Sequence, residues 1–259
     1  MTTTIAIAGK GGTGKTTIAA LLVRYLKEHK PGASILAIDA DPASNLNAAL
    51  GLPLAETVGD IREDTASRVS TGRMEVGIAK QDYLDLAINQ ALVEGDGVDL
   101  LAMGRPEGPG CYCAANNMLR SIVDRIAKGY DYVVIDNEAG LEHLSRRTTR
   151  DVDVLLIVSD PTVRGLTTAG RVVELIQELK TRVGKHYLLV NRADGALPPE
   201  LTQVIQKHGL RLLGTIPDDS AVADFDAVGK PLVELPAESP VVRAVAVISE
   251  KVLNTECTE

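Results

Sequence analysis

Aromatic side chains are scarce in this sequence, which has one Phe, no Trp and only 3% aromatic residues in total. Val, Ile, Leu and Ala must therefore fill the core, and a hydrophobic content of 45% across 259 residues is enough for a sizeable one. A core of this kind is typical of buried parallel strands flanked by helices. The length fits one large α/β domain.

Positive charge is also in short supply, since 27 Lys and Arg stand against 35 Asp and Glu for a net charge of −8. The basic residues form no run. A surface for non-specific nucleic-acid binding is usually net positive. We therefore expect no nucleic-acid partner, unless a local basic face provides for one.

Long apolar runs are absent, and none approaches the roughly 20 residues that a membrane-spanning helix needs. From Met1 the sequence enters a strand-like stretch without a charged leader region. Residues 254–259 are acidic, which does not suit an amphipathic membrane anchor. We expect a cytoplasmic protein with no membrane partner.

Cysteine occurs three times, an odd number in a sequence without a secretory signal. A disulfide framework is therefore not expected. Metal-binding or redox roles for the cysteines gain weight accordingly.

The sequence does contain a regular alternation of short apolar runs with helical patterns. Because strands alternate with helices, we predict a doubly wound, mainly parallel α/β sheet with helices on both faces. No repeat, low-complexity tract or linker interrupts it, so we predict one domain over residues 1–259. Residues 51–80 lack clear periodicity and are not assigned. The predicted strands are 4–8, 34–38, 98–103, 132–135, 154–159, 186–190 and 211–216, and the predicted helices are 15–30, 81–93, 115–128, 165–183, 199–208 and 240–253.

A glycine-rich loop follows the first predicted strand. Gly9, Gly14, Lys15 and Thr16 satisfy the pattern G-x-x-x-x-G-K-[ST] of a phosphate-binding loop. Glycines let backbone N–H groups converge on phosphate, and the helix N-terminus adds partial positive charge. We expect Lys15 to reach the β- and γ-phosphates of ATP, and the Thr16 hydroxyl to bind Mg²⁺. The alternative is an ordinary glycine-rich turn. The predicted nucleotide-binding residues of the loop are Gly11, Gly12, Thr13, Gly14, Lys15, Thr16 and Thr17.

A second lysine, Lys10, follows the first glycine of the loop. This feature resembles the signature of the deviant Walker A family, which includes the MinD/ParA ATPases, the nitrogenase iron protein and metal-insertion ATPases. The resemblance implies that Lys10 reaches across a nucleotide-sandwich homodimer and neutralises charge in the transition state, much as an arginine finger does. The alternative is a solvated loop lysine.

Three aspartates follow predicted strands. Asp39 and Asp41 lie at strand alternation, so both can face the crevice at the carboxyl edge of the sheet, where doubly wound folds bind ligands. The family resemblance implies that Asp41 orients or activates the attacking water and that Asp39 lies in the outer shell of Mg²⁺. Alternatively, both belong to a turn and a helix cap before residues 45–50. Asp136 ends a strand of the Walker B type and is positioned to bind Mg²⁺ through water.

Residues after two other strands complete the predicted site. The segment after Asp136 contains Gly140, a candidate γ-phosphate sensor of a second switch, together with Glu138 and His143, whose roles the sequence leaves open. His143 either relays the state of the switch or faces solvent on a helix. The resemblance implies that Asn191 contacts adenine. Arg192 and Pro217 are candidates near the base.

Two cysteines, Cys111 and Cys113, stand between the predicted strand 98–103 and the predicted helix 115–128. In an extended backbone both thiols point the same way. Two thiolates do not complete a four-coordinate soft-metal site, but a two-fold dimer doubles every residue at its interface. A homodimer would thus form an interfacial Cys₄ site. The alternatives are two free cysteines and a strained disulfide; Cys257 is treated as incidental.

The Cys111–Tyr112–Cys113 motif, the deviant Walker A loop and the segment 136–143 as second switch together resemble the CooC/AcsF-type maturation ATPases of carbon monoxide dehydrogenase and acetyl-CoA synthase. The resemblance covers essentially the whole chain. It implies a nickel ion at an interfacial Cys₄ site, delivered with ATP to carbon monoxide dehydrogenase or acetyl-CoA synthase as client. The spacing alone also suits Zn²⁺, Cu(I) or an iron–sulfur cluster. Thr13 stands where valine is common in this family, a change expected to be harmless.

Two other functions compete with this hypothesis. An iron–sulfur electron donor like the nitrogenase iron protein would use two well-separated cysteines per subunit, one just after the second switch, but residues 141–150 contain no cysteine. A positioning ATPase of the MinD/ParA type would act on membrane or DNA. The net negative charge of the sequence opposes that function, and a positioning role leaves the cysteine pair unexplained.

Overall fold

The computed structural model describes residues 2–54, 56–71, 80–105, 121–138, 151–178 and 182–254. Its strands form one eight-stranded sheet in the order β3-β4-β2-β5-β1-β6-β7-β8. Neighbouring strands are parallel except for β3 and β4, which are antiparallel. The strands are β1 (Thr3–Gly9), β2 (Ile35–Asp39), β3 (Val93–Glu94), β4 (Asp99–Ala102), β5 (Tyr132–Asp136), β6 (Asp151–Ser159), β7 (Arg182–Asn191) and β8 (Leu212–Ile216).

Helices cover both faces of the sheet, which confirms the predicted doubly wound α/β architecture. They are α1 (Lys15–His29), α2 (Leu46–Leu50), α3 (Val58–Ser70), α4 (Lys80–Ala91), α5 (121–127), α6 (Val163–Glu178), α7 (Pro199–Lys207), α8 (Ser220–Ala227) and α9 (Pro240–Asn254), with a 3₁₀ turn at Leu232–Glu234. Within the described residues, no helix combines the length and apolar character that crossing a membrane requires.

The two faces of β1 show how the sequence separates two cores. Ile5 and Ile7 point into a core shared with α1, α2 and α9. Ala6 and Ala8 point into the opposite core, shared with α3, α4, α5, α6 and α7. Since successive side chains of a strand alternate between faces, a run of apolar residues such as that in β1 is buried on both sides.

All seven predicted strands are present, but two predicted helix ends are wrong. The helix predicted over 81–93 ends at Ala91, and Val93 pairs in β3. The helix predicted over 165–183 ends at Glu178, because Val183 pairs with Val152 in the parallel ladder between β7 and β6. In both places a β-branched residue at the helix end joins a strand ladder. Only part of the helix predicted over 115–128 lies in the described residues, and it is helical there over 121–127.

Three of the described helices are missing from the predicted set, and the shortest of them, α2, appears only in the alternative that placed a helix cap before residues 45–50. Helix α3 lies in the unassigned segment 51–80, and it begins at Thr57 with a capping box, in which the Thr57 side chain accepts from the Asp60 backbone N–H and Asp60 accepts in return. Its polar composition hid the helical period, whereas the cap itself is a sequence signal for a helix start. Helix α8 was also missed, although Asp219 caps it.

The strand order brings four predicted site segments to one edge. Strand β5 lies between β2 and β1, and Asp136 at its end is paired in register with Asp39 of β2 and with Ile7 of β1. Gly9 ends β1 at the same edge, and Asn191 ends β7. The crevice at the carboxyl edge of a doubly wound sheet is where such folds bind ligands.

Candidate nucleotide-binding site

The glycine-rich loop between β1 and α1 packs so closely against neighbouring strands that two of its glycines have no space for a side chain. A Cβ on Gly9 would lie 2.2 Å from the carbonyl oxygen of Val158 in β6. Gly14 has a φ of +90°, and a Cβ there would lie 2.4 Å from Nδ2 of Asn191. These close contacts, and the positive φ of Gly14, require glycine at both positions. They fix the loop against the ends of β6 and β7.

Side-chain hydrogen bonds stabilise the same loop, some between residues of the loop and its helix and one from the end of β7. Asn191 Nδ2 donates to the Thr13 carbonyl oxygen over 2.8 Å. The Thr13 hydroxyl donates to the Lys10 carbonyl oxygen over 2.8 Å, and Lys15 Nζ reaches the same oxygen over 3.4 Å. The N-cap residue of α1 is Gly14, which has no side chain to cap the helix. The N-terminus of a 15-residue helix behind a glycine loop is a favourable site for phosphate.

Thr16 and Asp136 face each other across the crevice. The Thr16 hydroxyl donates to Asp136 Oδ2 over 2.6 Å. The side chain of Asp136 is buried, with a relative exposure of 1%, and its Oδ1 has no hydrogen-bond partner among the residues that the structure describes. Burial raises the pKa of Asp136 to about 7, with the charges of Asp39 and Asp41 adding to the effect and Thr16 and Lys15 opposing it.

A buried, partnerless carboxylate oxygen beside a hydroxyl is a donor set that fits Mg²⁺, which takes oxygen ligands. Thr16 and Asp136 are therefore the residues that would hold magnesium, directly or through water. The cation would supply positive charge that favours the ionised form of Asp136. Both residues were predicted for this purpose from the sequence.

Lys15 is buried next to this carboxylate cluster. Burial lowers the pKa of its ammonium group, whereas the carboxylates of Asp136, Asp41 and Glu138 oppose that shift. In its protonated form, this ammonium beside three carboxylates can bind phosphate oxygen. Lys10 differs from Lys15 because its side chain is exposed.

Asp39 and Asp41 both accept hydrogen bonds from the backbone that follows β2. Asp39 Oδ1 accepts from the Asp41 N–H over 3.0 Å, and Asp39 Oδ2 accepts from the Leu46 N–H over 2.8 Å at the start of α2. Burial raises the pKa of Asp39, and these two hydrogen bonds only partly offset the rise. Asp41 Oδ1 accepts from the Ala43 N–H over 2.9 Å, and its side chain is half-buried. Asp39 thus binds the turn after β2 and the start of α2 through both carboxylate oxygens, and the predicted roles of Asp39 near Mg²⁺ and of Asp41 in catalysis stay predictions.

The three residues predicted near the base lie at the ends of two neighbouring strands. Asn191 pairs in register with Ile216, and Pro217 follows directly. Arg192 has a φ of +56°, and its Nε lies 4.0 Å from Asp218 Oδ1, with both side chains exposed. The structure therefore brings Asn191, Arg192 and Pro217 together, beside the glycine-rich loop. Gly11, Gly12 and Thr17 lie in the same loop or in the first turn of α1.

Several predicted residues lie outside the described residues. They are Cys111, Cys113, Gly140, His143 and Cys257. Glu138 is described and half-buried, and it contributes to the electrostatics of Lys15.

Sequence reasoning missed two side-chain contacts that fix the crevice, one made by Asn137 and one by Thr13, a residue predicted only as part of the nucleotide-binding loop. Asn137 is buried, and its Nδ2 donates to the Ile7 carbonyl oxygen over 3.0 Å, which ties the exit of β5 to β1. The Thr13 hydroxyl holds the Lys10 peptide. Neither contact has a sequence signal, because both are made to backbone groups that only the tertiary fold or the loop conformation brings near.

Comparisons with known proteins agree with this geometry. The family model described as "CobQ/CobB/MinD/ParA nucleotide binding domain" matches residues 4–232. An uncharacterised ATP-binding protein of Methanocaldococcus jannaschii is 46% identical over 254 residues, covering 96% of this chain and 98% of that protein. The carbon monoxide dehydrogenase accessory protein CooC of Rhodospirillum rubrum is 35% identical over 238 residues, covering 87% of each. The MinD cell division protein of Aquifex aeolicus superimposes with a TM-score of 0.69 at 25% identity, covering 97% of each chain.

Proposed function

This chain belongs to the CobQ/CobB/MinD/ParA family of nucleotide-binding ATPases, and on that premise we propose that it uses ATP to deliver nickel to carbon monoxide dehydrogenase or acetyl-CoA synthase. The nickel is cargo, bound by Cys111 and Cys113 from each subunit of a nucleotide-sandwich homodimer. Zn²⁺ is a second metal that the same four thiolates would accept.

The observation that carries the proposal is the Cys111–Tyr112–Cys113 motif within a chain similar to CooC. The R. rubrum relative is named as an accessory protein of carbon monoxide dehydrogenase and is 35% identical over most of both chains. Thiolates favour soft or borderline metals over the hard cations that bind phosphate. One chain thus contains two separate sets of metal donors, oxygen atoms at Thr16 and Asp136 and sulfur atoms at the cysteine pair.

The hydrolytic part of the proposal uses residues of the crevice. Lys15 binds the transferring phosphoryl group, and Thr16 with Asp136 holds Mg²⁺. Asp41 lies in the turn after β2 with a half-buried carboxylate, where it orients the attacking water. Positive charge placed at the reacting phosphate favours the transition state, in which negative charge is spread over the phosphoryl oxygens.

The dimer part of the proposal depends on Lys10. Its carbonyl oxygen is bound within the loop, but its side chain is exposed at the mouth of the crevice. An exposed cation adds to catalysis only when water is excluded around it. A partner subunit docked on this edge would exclude water there, so that hydrolysis depends on dimerisation, and the dimer axis would bring two cysteine pairs together.

Metal content and oligomeric state test the cargo role. The protein is purified without oxygen and loaded with Ni²⁺ or Zn²⁺ with and without ATP, and metal per subunit is measured after gel filtration. We expect about one metal per dimer, lost in Cys111→Ala and Cys113→Ala and retained in the control Cys257→Ala. Metal that stays bound in both single variants would refute the proposed site, and iron with inorganic sulfide would favour an electron donor.

Turnover of Lys10→Ala tests the dimer role. We expect this variant to bind ATP with an affinity within about twofold of wild type, while its kcat falls by at least about 1,000-fold, as for removal of an arginine finger. The control is Lys30→Ala, which removes an exposed lysine at the far end of α1 and leaves turnover unchanged. Wild-type turnover in Lys10→Ala would show that the lysine takes no part in hydrolysis.

A positioning ATPase of the MinD type is the second candidate. It is favoured by the superposition on A. aeolicus MinD with a TM-score of 0.69. Sedimentation with vesicles of anionic lipid, with ATP and with ADP, distinguishes the two. ATP-dependent binding to vesicles by the Cys111→Ala variant, together with no metal binding by wild type, would decide for positioning.

A further inference from the structure

Thr13 is the residue of the glycine-rich loop whose side chain is buried inside the loop itself. Its relative exposure is 3%, whereas Lys10, Gly11 and Gly12 are exposed. The Thr13 hydroxyl lies 2.8 Å from the Lys10 carbonyl oxygen and donates to it. A buried hydroxyl with one defined acceptor is held in one rotamer and fixes the peptide that it binds.

Thr13 is itself held from two other directions. Its carbonyl oxygen accepts from Asn191 Nδ2 over 2.8 Å, which anchors it to the end of β7. Its hydroxyl also lies 3.2 Å from the position that a Cβ on Gly9 would take, so the glycine leaves the space that the hydroxyl occupies. The Lys10 peptide is thereby tied, through Thr13, to the sheet.

The other donor to the Lys10 carbonyl oxygen is unsuited to a permanent role. Lys15 Nζ lies 3.4 Å away, at the long end of the range for a hydrogen bond. In the proposed function this ammonium binds phosphate. The Thr13 hydroxyl has no such second task, because the loop binds phosphate through its backbone N–H groups. It is therefore the donor that keeps the Lys10 peptide in place during turnover.

We propose that Thr13 is a positioning residue for Lys10, and that its hydroxyl sets the direction in which the exposed Lys10 side chain leaves the loop toward a partner subunit. The proposal rests on the proposed role of Lys10 in hydrolysis. Valine, which has nearly the same shape as threonine but no donor, would leave the Lys10 carbonyl oxygen without this bond. A threonine here is then a functional difference from relatives with valine, and not a neutral one.

The test compares Thr13→Val with Thr13→Ser, which remove and retain the hydroxyl. ATP affinity is measured with a fluorescent ATP analogue, and kcat is measured at saturating Mg-ATP and at protein concentrations that favour the dimer. For Thr13→Val we expect an ATP affinity within about twofold of wild type, because the loop binds phosphate through backbone N–H groups. We expect the melting temperature to fall by about 2–4 °C through loss of the bond, and kcat to fall by about three- to tenfold. Thr13→Ser should recover most of the lost kcat. Equal kcat in Thr13→Val and wild type would overturn the proposal.

A double-mutant cycle with Lys10→Ala separates this inference from the proposed function. If Thr13 acts through Lys10, then Thr13→Val lowers kcat in the wild-type background and has no further effect in Lys10→Ala. If Thr13→Val lowers kcat by the same factor in both backgrounds, the positioning role is refuted while the role of Lys10 stands. If Lys10→Ala alone turns over like wild type, the proposed function itself fails, and the inference fails with it.

Discussion

Replacing Asp136 by Asn should stabilise the nucleotide-free protein at alkaline pH, although the residue belongs to the candidate active site. Burial raises the pKa of this carboxyl to about 7 in the folded protein, against 3.8 for the free side chain. Each pKa unit corresponds to about 1.4 kcal/mol. With a relative exposure of 1%, the carboxylate has little solvent screening, so ionising it in the folded state costs up to about 4 kcal/mol.

The sign of the pH dependence of the unfolding free energy follows from thermodynamic linkage. Since the folded state binds the proton more tightly than the unfolded state, the contribution of Asp136 to stability is fully present below the unfolded pKa and is lost as pH rises toward the folded pKa of about 7. Between pH 5 and pH 8 the wild-type protein should lose about 3 kcal/mol of unfolding free energy that Asp136→Asn does not lose. The amide still accepts from Thr16 but leaves a buried N–H group unpaired, which offsets about 1–3 kcal/mol of the gain.

Urea denaturation at pH 5 and at pH 8 measures these differences by linear extrapolation. The control is Asp226→Asn at an exposed position in α8, which should keep the wild-type dependence on pH. Addition of Mg-ADP should reverse the order at pH 8, since the wild-type carboxylate binds the cation and the amide does not carry its charge. The reasoning is refuted if Asp136→Asn and wild type have unfolding free energies that change in parallel between the two pH values.

Three further substitutions test the loop and the entry to α3. Gly14→Ala should abolish ATP binding and lower the melting temperature, because the new Cβ would lie 2.4 Å from Asn191 Nδ2 at a φ of +90°; retained ATP affinity in a binding titration would contradict it. Thr57→Ala should reduce the unfolding free energy by about 1 kcal/mol through loss of the capping box with Asp60, and an unchanged urea midpoint would count against that bond. Gly104→Ala should reduce the unfolding free energy more, by about 1–3 kcal/mol, because its Cβ would lie 2.2 Å from the Thr57 hydroxyl at a φ of +63°. A melting temperature higher than that of Thr57→Ala, measured by calorimetry, would disprove the clash.

The sequence predicted the parts of this site that depend on local pattern. An apolar strand, a glycine-rich loop and a helical period are all encoded within residues 4–26, so the phosphate loop was found with its flanking elements. Asp39 and Asp136 were found because each directly follows a predicted strand, and the parallel sheet places the two strand ends side by side.

Other features depend on contacts between distant segments. The bond from Asn191 to Thr13 joins residues 178 apart in the chain, and no local pattern signals it. The raised pKa of Asp136 results from burial and from neighbouring carboxylates, which only the assembled crevice provides. Helix α3 was hidden for a different reason, because its polar surface weakens the hydrophobic period on which prediction depends.

The contact between Gly14 and Asn191 also limits which substitutions this chain can accept during evolution. A larger residue at position 14 is excluded while an amide lies against it, and a longer side chain at position 191 is excluded while the loop keeps its present path. The two positions lie in different strand–helix units, yet they share one contact. A smaller residue at position 191 would remove the clash but not the strain, because the φ of +90° at position 14 disfavours any residue with a Cβ. Glycine at position 14 should therefore persist in a library of paired substitutions, even where the residue at position 191 changes.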